Sequence, residues 1–86
     1  MKKSQNSKPD PEKLVSLLVG QIIGNSKNFK HAKTQEGELV KIEIKLEKED
    51  IGKIVGRGGL TIWAIRRLAS IAGTNSNQKV FVSLVE

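Results

Sequence analysis

Residues 40–47 alternate strictly between apolar and charged side chains. The apolar set is Val40, Ile42, Ile44 and Leu46, and the charged set is Lys41, Glu43, Lys45 and Glu47. A period of two is that of a β-strand, in which successive side chains point to opposite faces of the sheet. The pattern therefore predicts a sheet with one face in water and the other covered by further elements. The alternating charges also discourage pairing with the edge of another sheet.

Three segments have the spacing of helices that could cover this sheet. The first is predicted to begin with Asp10 as its N-cap and Pro11 as its first residue, and to end at Gly24–Asn25. Its apolar residues form two adjacent ridges, Leu14–Leu18–Ile22 and Val15–Val19–Ile23. The other two helices are predicted at 49–55 and 60–72. Gly52, inside the second helix, is interpreted as a point of close helix packing.

The stripe that the third helix would bury consists of Ile62, Ile65, Ala69 and Ala72, with Leu68 beside it. Two more strands are predicted, a weak one at 29–34 and a last one at 80–85, with Val80, Val82 and Leu84 facing inward. Residues 35–38 would form a hairpin turn, and residues 73–77 a loop. The order α-β-β-α-α-β predicts a two-layer α+β domain, a three-stranded sheet with its helices on one face. Residues 10–86 would form this domain, and residues 1–9 a flexible basic tail.

Several classes of site are disfavoured by composition. The chain of 86 residues contains no cysteine and a single histidine, His31, so no cysteine-type zinc site or disulfide frame is expected. We expect no cofactor and no metal. No long apolar segment follows the basic start, and we expect a cytoplasmic protein. His31 itself is expected to be a half-exposed strand residue.

Positive charge is concentrated in the second half of the chain. The net charge is +6, and no acidic residue lies between Asp50 and Glu86. The basic residues of that interval are Lys53, Arg57, Arg66, Arg67 and Lys79. A segment with charge of one sign predicts a polyanionic partner.

A glycine-rich loop, Gly56-Arg57-Gly58-Gly59, lies within this basic interval between the two later helices. Glycine permits a positive φ and a close approach of another backbone, and the first N–H groups of a helix attract anions. The loop is therefore predicted to bind phosphate. A dinucleotide fingerprint would need glycine at Thr61, and a P-loop would need lysine after Gly59, so neither motif fits. Taken without its context, the same spacing also fits a tight turn.

The segment 54–62, Ile-Val-Gly-Arg-Gly-Gly-Leu-Thr-Ile, resembles the K-homology (KH) signature, an apolar pair followed by G-x-x-G-x-x-I. The element order is similar to that of the type II, prokaryotic KH domain. The segments 49–56, 64–66 and 82–86 resemble the small stand-alone bacterial KH proteins of the KhpA family. The resemblance covers about residues 10–86.

This resemblance implies that the protein binds single-stranded RNA. In KH domains the GxxG loop clamps the backbone of four nucleotides, and here the loop is Gly56 to Gly59. The bases would lie on an apolar groove formed by Ile51, Ile54, Val55, Ile62 and the edge of the second strand. Lys53, Arg66 and Arg67 are expected to add salt-dependent affinity.

The KhpA family is also linked to homodimers, to a larger KH-containing partner of the KhpB or Jag kind, and to control of cell shape and cell wall growth. The resemblance therefore implies an RNA chaperone or post-transcriptional regulator. Relatives often carry a basic residue after the loop and lysine at the position of Trp63, whereas this chain has Leu60 and Trp63. Three roles stay open for Trp63: partial burial at the domain edge, a dimer contact, or base stacking.

Two further functions remain as alternatives. The first is a KH-fold dimerisation or adaptor module whose main partner is another protein; the intact glycine loop favours RNA over this. The second is an enzyme, which we do not expect, because His31 is alone and the interval after Asp50 offers no acid until Glu86.

Overall fold

The elements follow the predicted order. A computed structural model describes residues 10–24 and 28–86. Its helices and strands are α1 (Pro11–Ile23), β1 (Phe29–Glu36), β2 (Leu39–Leu46), α2 (Lys48–Val55), α3 (Leu60–Thr74) and β3 (Lys79–Val85), with a short 3₁₀ turn at Arg57–Gly59. The predicted tail 1–9 and the loop residues 25–27 lie outside the described residues.

Helix α1 begins and ends where the sequence predicts. One carboxylate oxygen of Asp10 accepts hydrogen bonds from the amides of Glu12, at 2.9 Å, and Lys13, at 3.4 Å. The helix ends at Gly24, which has a φ of 72°. The first-turn amides lack partners inside the helix, so this cap stabilises its start by about 1 kcal/mol.

The sheet has the order β1-β2-β3, with β2 in the centre. Strands β1 and β2 are antiparallel, and β2 and β3 are parallel. The parallel pair requires a long crossover, which α2 and α3 provide. The predicted turn at 35–38 is too long: Gln35 and Glu36 belong to β1, and the turn itself is Gly37–Glu38.

The core lies between the sheet and the helices. Val40, Ile42 and Ile44 of β2 are at most 1% exposed. They form one cluster with buried residues of the other elements, Val15, Val19, Ile54, Ile62, Ile65, Ala69, Val80 and Val82. The charged residues of β2 are all exposed. The predicted α+β fold, with its helices on one face of the sheet, is therefore confirmed.

Two helical glycines, Gly52 and Gly73, differ from their predictions. Gly52 was interpreted as a packing contact, but a Cβ placed there meets nothing within 4 Å. Gly73 was placed in a loop, yet it is buried within α3. A Cβ on Gly73 would lie 2.5 Å from Cγ2 of Val80 and 2.9 Å from the carbonyl oxygen of Gln78. The close contact is therefore made by Gly73, where α3 meets the start of β3.

Within residues 10–24 and 28–86, no helix is both long and apolar enough to cross a membrane.

Candidate nucleic-acid interface

The glycine loop joins α2 to α3 through backbone conformations that favour glycine. Gly56 has a φ of 76°, Gly58 of 63° and Gly59 of 79°. At Gly56 a side chain is also excluded by space, because its Cβ would lie 2.6 Å from the Cβ of Thr61. At Gly58 the surroundings are open, with no atom within 4 Å of a Cβ. The loop is therefore tied to α3 at its first glycine and faces solvent at its third residue.

Two amides at the start of α3 donate to carbonyl oxygens inside the loop. The amide of Gly59 donates to the carbonyl of Gly56 at 3.1 Å, and the amide of Leu60 donates to the carbonyl of Arg57. Gly59 is the N-cap, and no side chain of the described residues caps this helix start. A 15-residue helix has a partial positive charge at such an end, because its peptide dipoles are aligned. This arrangement suits a phosphate group.

One cation lies within the loop, and a second lies beside it on α2. Arg57 is exposed and lies within the loop itself. Lys53 is also exposed, and its Nζ lies 3.7 Å from a carboxylate oxygen of Asp50, one helical turn earlier. The Lys53 charge is therefore partly balanced by a neighbour on its own helix. Among the predicted site residues, Arg57 is the cation best placed for an anion at the loop.

The structure separates Arg66 from Arg67. The guanidinium Nε of Arg66 donates to the carbonyl oxygen of Val82 at 3.2 Å, so this side chain lies against edge strand β3. The guanidinium carbon of Arg67 lies 5.7 Å from the centroid of the Trp63 ring, within cation–π range. Consecutive residues are about 100° apart around a helix, and these two arginines consequently belong to different surfaces.

The apolar residues of the predicted groove are mostly interior. Ile54 is 0% exposed and Ile62 is 7% exposed, so in this conformation neither side chain offers surface to a ligand. Ile51 and Val55 are partly buried against the same core. The edge of the second strand, also assigned to this groove, is not available because β2 is the central strand. That part of the prediction was wrong, since strand order depends on non-local pairing.

An exposed apolar strip on α3 was not identified from the sequence. This strip consists of Leu60, Trp63, Leu68 and Ile71, and we call it the apolar strip of α3. Leu60 is 68% exposed and Trp63 is 60% exposed, and Leu68 and Ile71 are exposed as well. Their spacing of three to five residues gives a second stripe on the side away from the core. Leu68 had been placed beside the buried stripe; its exposure corrects that placement.

Comparisons with known proteins identify similar sequences along most of the chain. The family model described as KhpA/KhpB, KH domain, matches residues 12–84. The RNA-binding protein KhpA of Clostridium perfringens is 26% identical over 74 residues, 86% of this chain and 99% of that protein. The RNA-binding protein KhpA of Chlamydia caviae is 39% identical over 57 residues, 65% of this chain and 73% of that protein.

The RNA-binding protein KhpA of Bacillus subtilis is 26% identical over 69 residues, 80% of this chain and 85% of that protein. The comparison with solved structures gave no significant match. The family model spans α1 through β3 and includes the helix–glycine loop–helix unit. The chain therefore belongs to the KhpA/KhpB family of KH domains.

Proposed function

We propose that this protein binds single-stranded RNA by clamping its sugar–phosphate backbone at Gly56 to Gly59. The observation that carries the proposal is the open, cationic loop at the start of α3, where no side chain of the described residues forms a cap. Backbone amides and Arg57 would contact phosphate there, and Gly58 would let it approach. The similar KhpA proteins are named RNA-binding proteins, which supports the same ligand for this chain.

Burial refines the roles of the other predicted site residues. Because Ile54 and Ile62 lie in the core, we propose that they hold α2 and α3 in position rather than touch the ligand. Val55, Lys53 and Arg67 have surface to contribute. On the basis of the family resemblance, we also propose that the protein acts as an RNA chaperone or post-transcriptional regulator connected with cell shape and cell wall growth.

A salt titration tests the RNA clamp directly. We expect a short unstructured RNA to bind with an affinity that falls linearly on a log–log plot against salt, because phosphate contacts release counterions. Replacing Arg57 by glutamine should reduce the magnitude of this slope by about 0.7, the value for one phosphate contact on a single strand. The matched control is Lys13→Gln, which removes the same charge from an exposed position on α1. Equal slopes for the wild type and Arg57→Gln would contradict the contact.

Self-association is a second proposal, and the apolar strip of α3 favours it. Large exposed apolar patches mark interaction sites, and tryptophan is enriched at the centres of protein interfaces. Ile54, on the neighbouring helix α2, cannot contribute to such a contact because it is buried. We therefore propose that Leu60, Trp63, Leu68 and Ile71 form the contact, with a second copy or with a larger KH-containing protein.

Analytical sedimentation tests whether the apolar strip of α3 forms a dimer contact. We expect the wild type to sediment as a dimer at micromolar concentration and Trp63→Ala to shift it towards the 9.5 kDa monomer, since loss of a central tryptophan costs about 2 kcal/mol or more. Phe81→Ala is the control, because it removes an equally exposed aromatic ring from the sheet. A wild type that is monomeric throughout, with no effect of Trp63→Ala, would argue against the homodimer.

A further inference from the structure

The face of the sheet that points away from the helices is rich in lysine and carries one exposed aromatic ring. Strand register places Lys30, Lys41, Lys45 and Lys79 on this side, together with Phe81 and Glu43. We call these six residues the outer sheet face. One more acid, Glu36, lies at the hairpin end. Among the strand residues on this side there are therefore four lysines, two acids and a single aromatic ring. Glu47, the next residue of the alternating series, lies just past the end of β2.

Phe81 is unusually accessible for an aromatic residue of a strand. It is 59% exposed, and its cross-strand partner on β2 is Lys41. Thr34 on β1 lies opposite Lys41 on the same side of the sheet. Two residues after Phe81 on β3 is Ser83. These side chains are small or flexible and leave the ring face open. Lys79 lies two residues before Phe81 on the same side of β3.

This combination fits a single-stranded nucleic acid better than a protein. Bases stack on aromatic rings displayed by open sheets, and lysines beside the ring contact the intervening phosphates. A stable protein interface buries about 800 Å² per partner, with a core depleted of lysine. Among the described residues, Phe81 is the one large apolar side chain of the sheet that is prominently exposed; the others are on helices.

Arg66 joins helix α3 to the edge of strand β3. Its guanidinium donates to the carbonyl of Val82, the residue next to Phe81, at the edge of β3 that pairs with no other described strand. Helix α3, which begins at the loop, packs on β3 from the opposite side of the sheet. An RNA backbone leaving the loop could therefore pass Arg66 at this edge and reach the outer sheet face.

We propose that the outer sheet face is a second contact surface for single-stranded RNA. Phe81 stacks on a base there, and Lys41 and Lys79 hold the flanking phosphates. The proposal rests on the proposed function, because the loop anchors the same strand. It predicts that an RNA longer than the four nucleotides clamped by a KH loop gains affinity through Phe81.

Titration with unstructured RNAs of four and twelve nucleotides tests this surface. We expect Phe81→Ala to weaken binding of the twelve-nucleotide RNA about 5- to 140-fold, which corresponds to the loss of one stacked base. Binding of the four-nucleotide RNA should be unchanged. Phe81→Trp should retain the affinity, and Phe81→Leu should lose it, because leucine keeps the apolar character but not the ring. Lys41→Gln should lower the salt slope, whereas Lys33→Gln, on the opposite side of β1, should not.

The outcomes separate this proposal from the proposed function. If a folded Phe81→Ala binds both RNAs as tightly as the wild type, the second surface is overturned while the loop clamp stands. Equal weakening of both RNAs also overturns it, because the ring then acts at the loop site or on the fold. A change in sedimentation on Phe81→Ala would instead assign this face to a protein partner. Loss of binding in loop variants alone supports the clamp and leaves Phe81 without a role.

Discussion

Replacing Arg57 and Gly58 together by aspartate is expected to weaken RNA binding about a hundredfold or more while the domain stays folded. Arg57→Asp reverses one charge and Gly58→Asp adds another, so the loop becomes repulsive to phosphate. A hydrogen bond to a charged group contributes about 1.5–3 kcal/mol, and close repulsion in water adds about 1 kcal/mol. Each 1.4 kcal/mol corresponds to a factor of ten in affinity.

The fold is expected to tolerate this pair of substitutions. Gly58 has φ 63° and ψ 16°, the left-handed region, which aspartate enters more readily than most residues. Nothing lies within 4 Å of a Cβ at that position, and Arg57 is exposed. We expect a cost of about 1–2 kcal/mol in the free energy of unfolding. Gly56 would not serve for this test, since a side chain there would collide with Thr61.

The matched control is the double substitution Arg57→Asn/Gly58→Asn. Asparagine has the shape of aspartate and also tolerates the left-handed region, but it carries no negative charge. We expect this variant to bind RNA more weakly than the wild type and clearly better than the aspartate variant. Circular dichroism establishes that both are folded. A folded aspartate variant that binds RNA as tightly as the wild type would contradict the phosphate clamp. It would favour the alternative function, an adaptor module whose main partner is another protein.

Ile44→Ala is expected to destabilise the domain by about 2–5 kcal/mol. Ile44 is 0% exposed and lies in the central strand, where it belongs to the core cluster shared by the sheet and the helices. Removing its side chain loses apolar burial and leaves a cavity that the surrounding core fills only in part. Domains of this kind are stable by about 5–15 kcal/mol, so the loss is a large fraction of the total.

Urea denaturation of the wild type, Ile44→Ala and Lys45→Ala measures this effect. Lys45 is the next residue on β2 and points to the exposed side of the sheet. Its replacement should change the free energy of unfolding by less than about 0.5 kcal/mol. If Ile44→Ala also fell within that range, the assignment of the buried face of β2 would be wrong.

The position of the glycine loop in the fold could be predicted from the sequence. The glycine loop lies between two helices, as its motif requires, and Arg57 is exposed within it. The RNA contacts themselves stay a prediction. The proposed groove could not be read from apolar residue types alone, because the same isoleucines serve equally as core. Burial distinguishes the two uses: Ile54 and Ile62 are interior, whereas Leu60 and Trp63 are exposed.

The sequence by itself determined the local elements of this protein. Side-chain direction follows from backbone geometry, so a period of two specifies the buried face of β2, and Asp10–Pro11 specifies the start of α1. Only the tertiary structure decided that β2 is central, that Gly73 contacts β3, and that Arg66 lies at the edge of β3 while Arg67 covers Trp63. These features depend on strand pairing and helix packing between residues far apart in the chain, and no local pattern encodes them.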